Sequence, residues 1–312
     1  MATPNELHKE KINFLEDRES ILKRKVTGAE KKLLDSIIEK FIDELEVSDG
    51  QIVSNGKNIT LTQALEDIFE NFDKTINRSL INTYIEDIGS AKVLNSKYFR
   101  TFEKDKFKFD KIKSSVDEQV NRRLGIKKDG SFKKAGFLDN FIKDTRLKNE
   151  FTELVTKGIS GGVGFRELKS QVKEFVVGNP QRLGGLQANY GTFIYDTYQQ
   201  IDRLSSGIYA NEIGMQSFIY QGGKIADTRK FCCQREGELW TVEEAKKWRT
   251  LKFQGKSKNY NPLVDLGGYN CRHSTQYISN ILAVGRRKDL ELDKDGNLVP
   301  KKDASKQKLN KC

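Results

Sequence analysis

The stretch LTQALEDIFENFDKTINRSLINTYIEDI, residues 61–88, sets the architecture. Its apolar positions, Leu65, Ile68, Phe69, Phe72, Ile76, Leu80, Ile81, Tyr84, Ile85 and Ile88, recur at the ~3.6-residue period of an α-helix. This predicts an apolar face about seven turns long, with Thr62 as the N-cap. Working outward, no proline interrupts the chain between Pro4 and residue 160, and the helical spacing repeats on both sides. Upstream, Thr27 and Glu30 read as a T-x-x-E capping box. Behind it Leu34, Ile37, Ile38, Phe41, Ile42 and Leu45 form a stripe that the turn SDGQIVSNGKN, residues 48–58, closes. Downstream, Phe109, Ile112, Val116, Val120 and Leu124 repeat the pattern. The segment GIKKDGSFKKAG reads as an exposed basic connection before a helix over 137–156.

The glycine cluster GISGGVG, residues 158–164, breaks that helix, and 165–176 resumes with Leu168, Val172 and Phe175 on one face. Residues 188–213 read as mainly helical. Their aromatic positions, Tyr190, Phe193, Tyr195, Tyr198 and Tyr209, suit either base stacking or, more commonly, packing between helices. After Gly214 the character changes. MQSFIYQGG reads as a strand, 237–241 as a second and 274–279 as a third, with Thr241 and Glu244 capping an intervening helix. The predicted fold is mainly α: an elongated multi-helix body with a small C-terminal α+β module. Its divisions are 1–157 (N-terminal helices), 158–213 (helical connector), 214–283 (module) and 284–312. The last holds nine Lys or Arg against five Asp or Glu and reads as a flexible, exposed tail.

A chain of 312 residues with 36% apolar and 32% charged residues buries a core without staples but is lean in core-forming side chains. It contains no apolar run long enough to span a bilayer, and MATPNELHKEK lacks the apolar core of a signal peptide, so cytoplasmic synthesis and no membrane partner are expected. The net charge of +11 favours polyanions such as double-stranded DNA, although the lysines form no single stripe and solubility alone also accounts for them.

Three of four cysteines and one of two histidines fall between Cys232 and His273. In a reducing compartment they do not read as a disulfide framework. Thiolate and imidazole are natural ligands of tetrahedral zinc, so Cys232, Cys233, Cys271 and His273, with Asp227 as a substitute ligand, are candidates for a structural zinc site. Their spacing departs from a C-x2-C knuckle. A disulfide or redox pair across the loop, and a cluster of packed thiols beside a hydrogen-bonded histidine, stay open as alternatives. Trp240 and Trp248 are expected in the same small core or, less commonly, in an aromatic ligand box. No catalytic residue is assigned. GISGGVGF lacks the Lys and following Ser or Thr of a phosphate loop. His8 is placed on an exposed, charged helix, leaving His273 as the one histidine available to a metal-dependent nuclease. The pair Glu236 and Glu238 has the E-x-E form of ADP-ribosyltransferases with no accompanying site.

The strings IYQGGKIADTRKFCCQREGELWTVEEAKKW and NPLVDLGGYNCRHS resemble the C-terminal part of phage minor head, or head morphogenesis, proteins of the phage Mu protein F type. Asp227, Arg229, Cys232 and Gly237 match the family's first block, and Cys271, Arg272 and His273 its closing C-R-H element. The resemblance covers about residues 155–280. It departs from the C-x2-C and H-P-N-C-R-C forms of many members, so no full ligand set or disulfide pattern carries over. What the resemblance implies is a non-enzymatic virion component, located in the head interior or at the portal vertex, with the portal protein and major capsid protein as partners and DNA within reach. The alternatives are the two enzyme readings above and a plain DNA-binding protein.

Overall fold

The structure, a computed structural model, describes residues 2–191, 194 and 196–302. In chain order the elements are α1 (Pro4–Lys40), β1 (Val47–Ser48), β2 (Gln51–Ile52), α2 (Gly56–Phe72), α3 (Arg78–Arg100) and α4 (Lys106–Leu124). They continue with α5 (Phe137–Ile142), α6 (Arg146–Ser160), α7 (Phe165–Val177), β3 (Gly178–Asn179), β4 (Arg182–Leu183), α8 (Gly185–Tyr190) and α9 (Asp196–Ile213). The rest comprises β5 (Ser217–Gln221), α10 (Lys230–Cys233), β6 (Leu239–Thr241), α11 (Val242–Lys246), α12 (Pro262–Asp265), β7 (Ser274–Ile278), α13 (Asn280–Arg286), β8 (Leu290–Leu292) and β9 (Leu298–Pro300). The fold is mainly α, with a small α+β part. No helix among the described residues is long and apolar enough to cross a membrane.

The opening stretch is helical throughout, and a π-helical turn, Asp73–Asn77, joins α2 to α3. Its cap lies earlier than predicted. Asn55 accepts from the Asn58 N–H, while Thr62 sits inside the helix and donates back to the Ile59 carbonyl. The predicted capping box at Thr27 is absent because α1 runs through it. Thr27 Oγ1 donates to the Lys23 carbonyl, and Glu30 accepts from the Gln187 N–H at 2.8 Å. The predicted helix over 137–156 is two helices, α5 and α6, separated at residues 143–145.

The chain divides into two compact units, one drawn from residues 1–17, 88–123 and 195–312, the other from 18–87 and 124–194. These cut across the predicted divisions at 157 and 213. In the second unit Phe151 packs between Phe69 and Phe175, at ring distances of 5.7 and 5.5 Å, and the Tyr190 hydroxyl donates to Asn77 at 2.6 Å.

The first unit is built on an antiparallel sheet of order β6-β5-β7, with Phe218 opposite both Trp240 and Tyr277. Both faces are buried. One carries aromatic rings from Phe218, Tyr220, Trp240 and Tyr277. On the other, Ile219, Leu239 and Ile278 pack with Ala283 and Leu290. Leu290 corrects the expectation of a flexible tail from residue 284. α13 continues to Arg286, β8 and β9 pair as a hairpin, and Leu290 is 2% exposed. Leu290 supplies apolar area that a charge count over the segment hides. Residues 303–312 of that predicted tail lie outside the described residues, as do Phe193 and Tyr195. The remaining aromatic candidates, Tyr190, Tyr198 and Tyr209, are buried, and Tyr209 stacks between Phe99 and Phe109 at 5.0 and 5.5 Å. Trp240 and Trp248 share one core, their rings 5.2 Å apart.

His8 also departs from expectation. It is buried against the Tyr98 ring, with Nε2 3.4 Å from Ser274 Oγ. One turn on, Lys11 is 1% exposed and pairs with Asp202 at 3.1 Å, while its ammonium also donates to Asn95 and Ser206. The buried stripe of α1 therefore begins with two polar residues before reaching Leu15, Leu22 and Val26.

Candidate metal centre

Three chain segments converge beside the sheet. The central strand β5 projects Tyr220 onto the aromatic face. After Gly222 and an exposed stretch, α10 carries Cys232, and the chain rejoins β5 where the Gly237 N–H donates to the Tyr220 carbonyl at 2.7 Å. The third segment, the loop after α12, ends in Cys271-Arg272-His273 immediately before β7, whose Ser274 pairs with Gln221. Strand pairing thus sets His273 beside Gly222. A Cβ on Gly222 would lie 2.7 Å from His273 Cα, so only glycine lets the chain pass there.

Cys232, Cys271 and His273 are 2%, 3% and 6% exposed, and one donor atom from each lies within 4.8 Å of the others. The two Sγ atoms are 3.9 Å apart, and Cys271 Sγ is 3.8 Å from His273 Nδ1. Zinc–sulfur bonds of about 2.3 Å in a tetrahedron place neighbouring sulfurs about 3.8 Å apart. This buried group can hold a metal ion. Around it, the Tyr220 hydroxyl donates to Cys232 Sγ at 3.2 Å and lies 3.7 Å from Cys271 Sγ, and the Gly267 N–H donates to Cys271 Sγ at 3.3 Å.

The closing loop is held tightly. Arg203 of α9, fully buried, donates to the carbonyls of Val264 at 2.9 Å, His273 at 2.8 Å and Cys271, fastening both ends of the loop to one guanidinium. Tyr260 donates to the Leu266 carbonyl at 2.5 Å. Leu266, buried and non-glycine, adopts φ +47°, and Asn270 adopts φ +56°. Such left-handed residues cost about 1–3 kcal/mol each and persist where the surroundings enforce them, as at ligand clamps.

The contact between the two thiols shifts them in opposite directions. The Cys232 thiol, hydrogen-bonded to Cys271 and buried, is pushed up. Cys271 is pulled well below the ordinary thiol range by the hydrogen bond from Cys232, with Arg203 and His273 adding to the effect. The Tyr220 phenol is held protonated by burial and by the neighbouring sulfurs. Facing the loop, Asp196 is lifted to about 6 by burial.

Of the residues predicted from sequence, Cys232, Cys271 and His273 meet, but Asp227 and Cys233 do not join them. Asp227 is exposed, because the chain between Gly222 and Ala226 runs over the surface before turning in at Arg229. Cys233 follows Cys232 on a helix and so points about 100° away from it, outside the group. Arg229 approaches the Gly267 carbonyl at 3.4 Å, and Arg272 is exposed. Sequence reasoning missed Tyr220 and Arg203. The alternation in SFIYQ marks Tyr220 as inward-facing without saying what it faces. Comparison with known protein families, curated proteins and solved structures yields no match.

Proposed function

We propose that this chain is a phage minor head protein: a non-enzymatic virion component acting in head assembly, with the portal protein and major capsid protein as partners and genome DNA within reach. One observation carries the reading. The two blocks that resemble that family close on one another at the contact between Cys232 and Cys271, which stand 39 positions apart in the chain. A resemblance by chance would have no reason to fold onto itself. The donor set supports a structural zinc ion as the fastening of this module, since two sulfurs and an imidazole at these separations suit zinc and the site is sealed from solvent. Sealing also favours scaffolding over catalysis, because a substrate has no path to His273.

The basic connection between α4 and α5 presents Lys127, Lys128, Lys133 and Lys134 to solvent, where phosphate contacts would be independent of sequence. The test is to induce a phage carrying the gene, purify heads and procapsids, and identify their proteins by mass spectrometry. The chain is expected in heads at low copy number, and deletion of its gene is expected to reduce their yield. Heads of full infectivity that lack the chain would overturn the reading.

A further inference from the structure

We propose that Tyr220 is the fourth ligand of this metal site, as a phenolate, giving a closed two-thiolate, imidazole and phenolate centre. The inference rests on the zinc reading above. Three observations carry it. First, the hydroxyl already stands at the separation from both sulfurs that a fourth tetrahedral donor needs, 3.2 Å from one and 3.7 Å from the other. Bonds of about 2.3 Å to sulfur and about 2.0–2.2 Å to oxygen place such donors about 3.5 Å apart. Second, the competing fourth ligands are shut out. Asp227 is exposed and outside the group, and the fully buried Tyr220 hydroxyl and the Gly267 N–H already contact the sulfurs. His273 Nε2 is likewise buried without a hydrogen-bond partner among the described residues.

Third, the surroundings are electropositive in a way that apolar packing does not explain. Arg203 and Arg235 are buried, at 1% and 4% exposure, and among the described residues neither has a carboxylate within ion-pair distance. Arg203 donates to three carbonyls around the site. Arg235 lies over the Phe231 ring at 3.7 Å, one turn of chain from Cys232. Arg203 lies within electrostatic reach of the Asp196 and Asp265 carboxylates. Arg235, in contrast, has only rings and a carbonyl around it among the described residues, and a buried cation without a counter-ion is costly. A dication bound by two thiolates and one phenolate carries one net negative charge, and the Arg235 guanidinium offsets it. In the metal-free protein the Tyr220 hydroxyl donates to Cys232 Sγ; a dication among the donors would take the place of that proton.

The experiment is a zinc titration of the reduced, metal-free full-length chain, followed by ultraviolet difference spectroscopy. Zinc is itself colourless, so an ionised phenol shows directly. The expected result is a phenolate difference band equivalent to one of the ten tyrosines, saturating at one zinc per chain. In Tyr220→Phe the band should vanish and zinc affinity should fall about tenfold or more. Zinc binding by the wild-type chain without a phenolate band would overturn the assignment of Tyr220 while leaving the metal site standing. A wild-type chain that takes up no zinc would overturn both. The wild-type band decides the question even if the variant does not fold.

Discussion

Gly267 passes so close to Cys232 that a Cβ at position 267 would collide with Cys232 Sγ and lie 3.0 Å from Cys271 Sγ. The loop and the thiol pair therefore share one space. Gly267→Ala should destabilise the first unit by about 1–3 kcal/mol, the range for overpacking a filled core, and should weaken metal binding because the sulfurs must part. Gly285→Ala is the control, since a Cβ there meets nothing within 4 Å. Urea denaturation with and without a chelator measures both effects. Equal midpoints for the two variants would contradict the close approach.

The Lys11–Asp202 pair ties α1 to α9, and both side chains are at most 1% exposed. Lys11→Met leaves a buried carboxylate facing Asn95 without its cation, which should cost about 3–5 kcal/mol. The double variant Lys11→Met/Asp202→Leu removes both charges and should recover much of that loss. Denaturation midpoints of the three proteins check it, and additive losses would argue against a coupled pair.

His8 makes stability depend on pH. Burial, reinforced by the Lys11 charge, depresses its folded-state value to about 2, while the unfolded histidine titrates near 6.5. Below pH ~6.5 the unfolded chain takes up a proton that the folded chain refuses. Stability is therefore fully present above ~6.5 and falls by up to about 1.4 kcal/mol per pH unit as the pH drops toward 2. Asp196 runs the other way: its raised folded value adds stability as pH falls between about 4 and about 6. The difference between wild type and His8→Asn isolates the histidine. It should shrink steadily from pH 7 to pH 5, and a constant difference would contradict the buried neutral imidazole.

The exposed lysines of the connection between α4 and α5 bear on the proposed DNA contact. Replacing Lys127, Lys128, Lys133 and Lys134 by Gln should lower affinity for duplex DNA uniformly across sequences. It should also flatten the dependence of log K on log salt by about 0.9 for each phosphate that a lysine no longer neutralises. Fluorescence anisotropy at several salt concentrations measures the slope, and an unchanged slope removes this loop from the interface.

How much of this was legible depends on what each residue does. The 61–88 helix, the three strands around Phe218, Trp240 and Tyr277, and the Thr241–Glu244 capping box are local patterns, and local patterns survive folding. The caps at Thr27 and Thr62 failed because a capping sequence inside a strong helical stripe does not stop it. His8 escaped because polar residues occupy the first two positions of α1's buried stripe, and their partners, Ser274 and Asp202, lie more than 190 residues away. The Cys232, Cys271 and His273 cluster was legible as residue types but not as a set. The sequence puts Asp227 near Cys232, whereas β5 and α10 bring in Tyr220, and Arg203 reaches the loop from a helix some sixty residues upstream.

The claim that the Cys232–Cys271–His273 group fastens the module is tested most directly by the zinc content of the protein purified under reducing conditions, measured by inductively coupled plasma mass spectrometry beside Cys271→Ala. One zinc per wild-type chain, none in the variant, and a lower thermal midpoint for the variant are expected. Metal-free wild-type protein that binds no added zinc and keeps the same midpoint in chelator would contradict it.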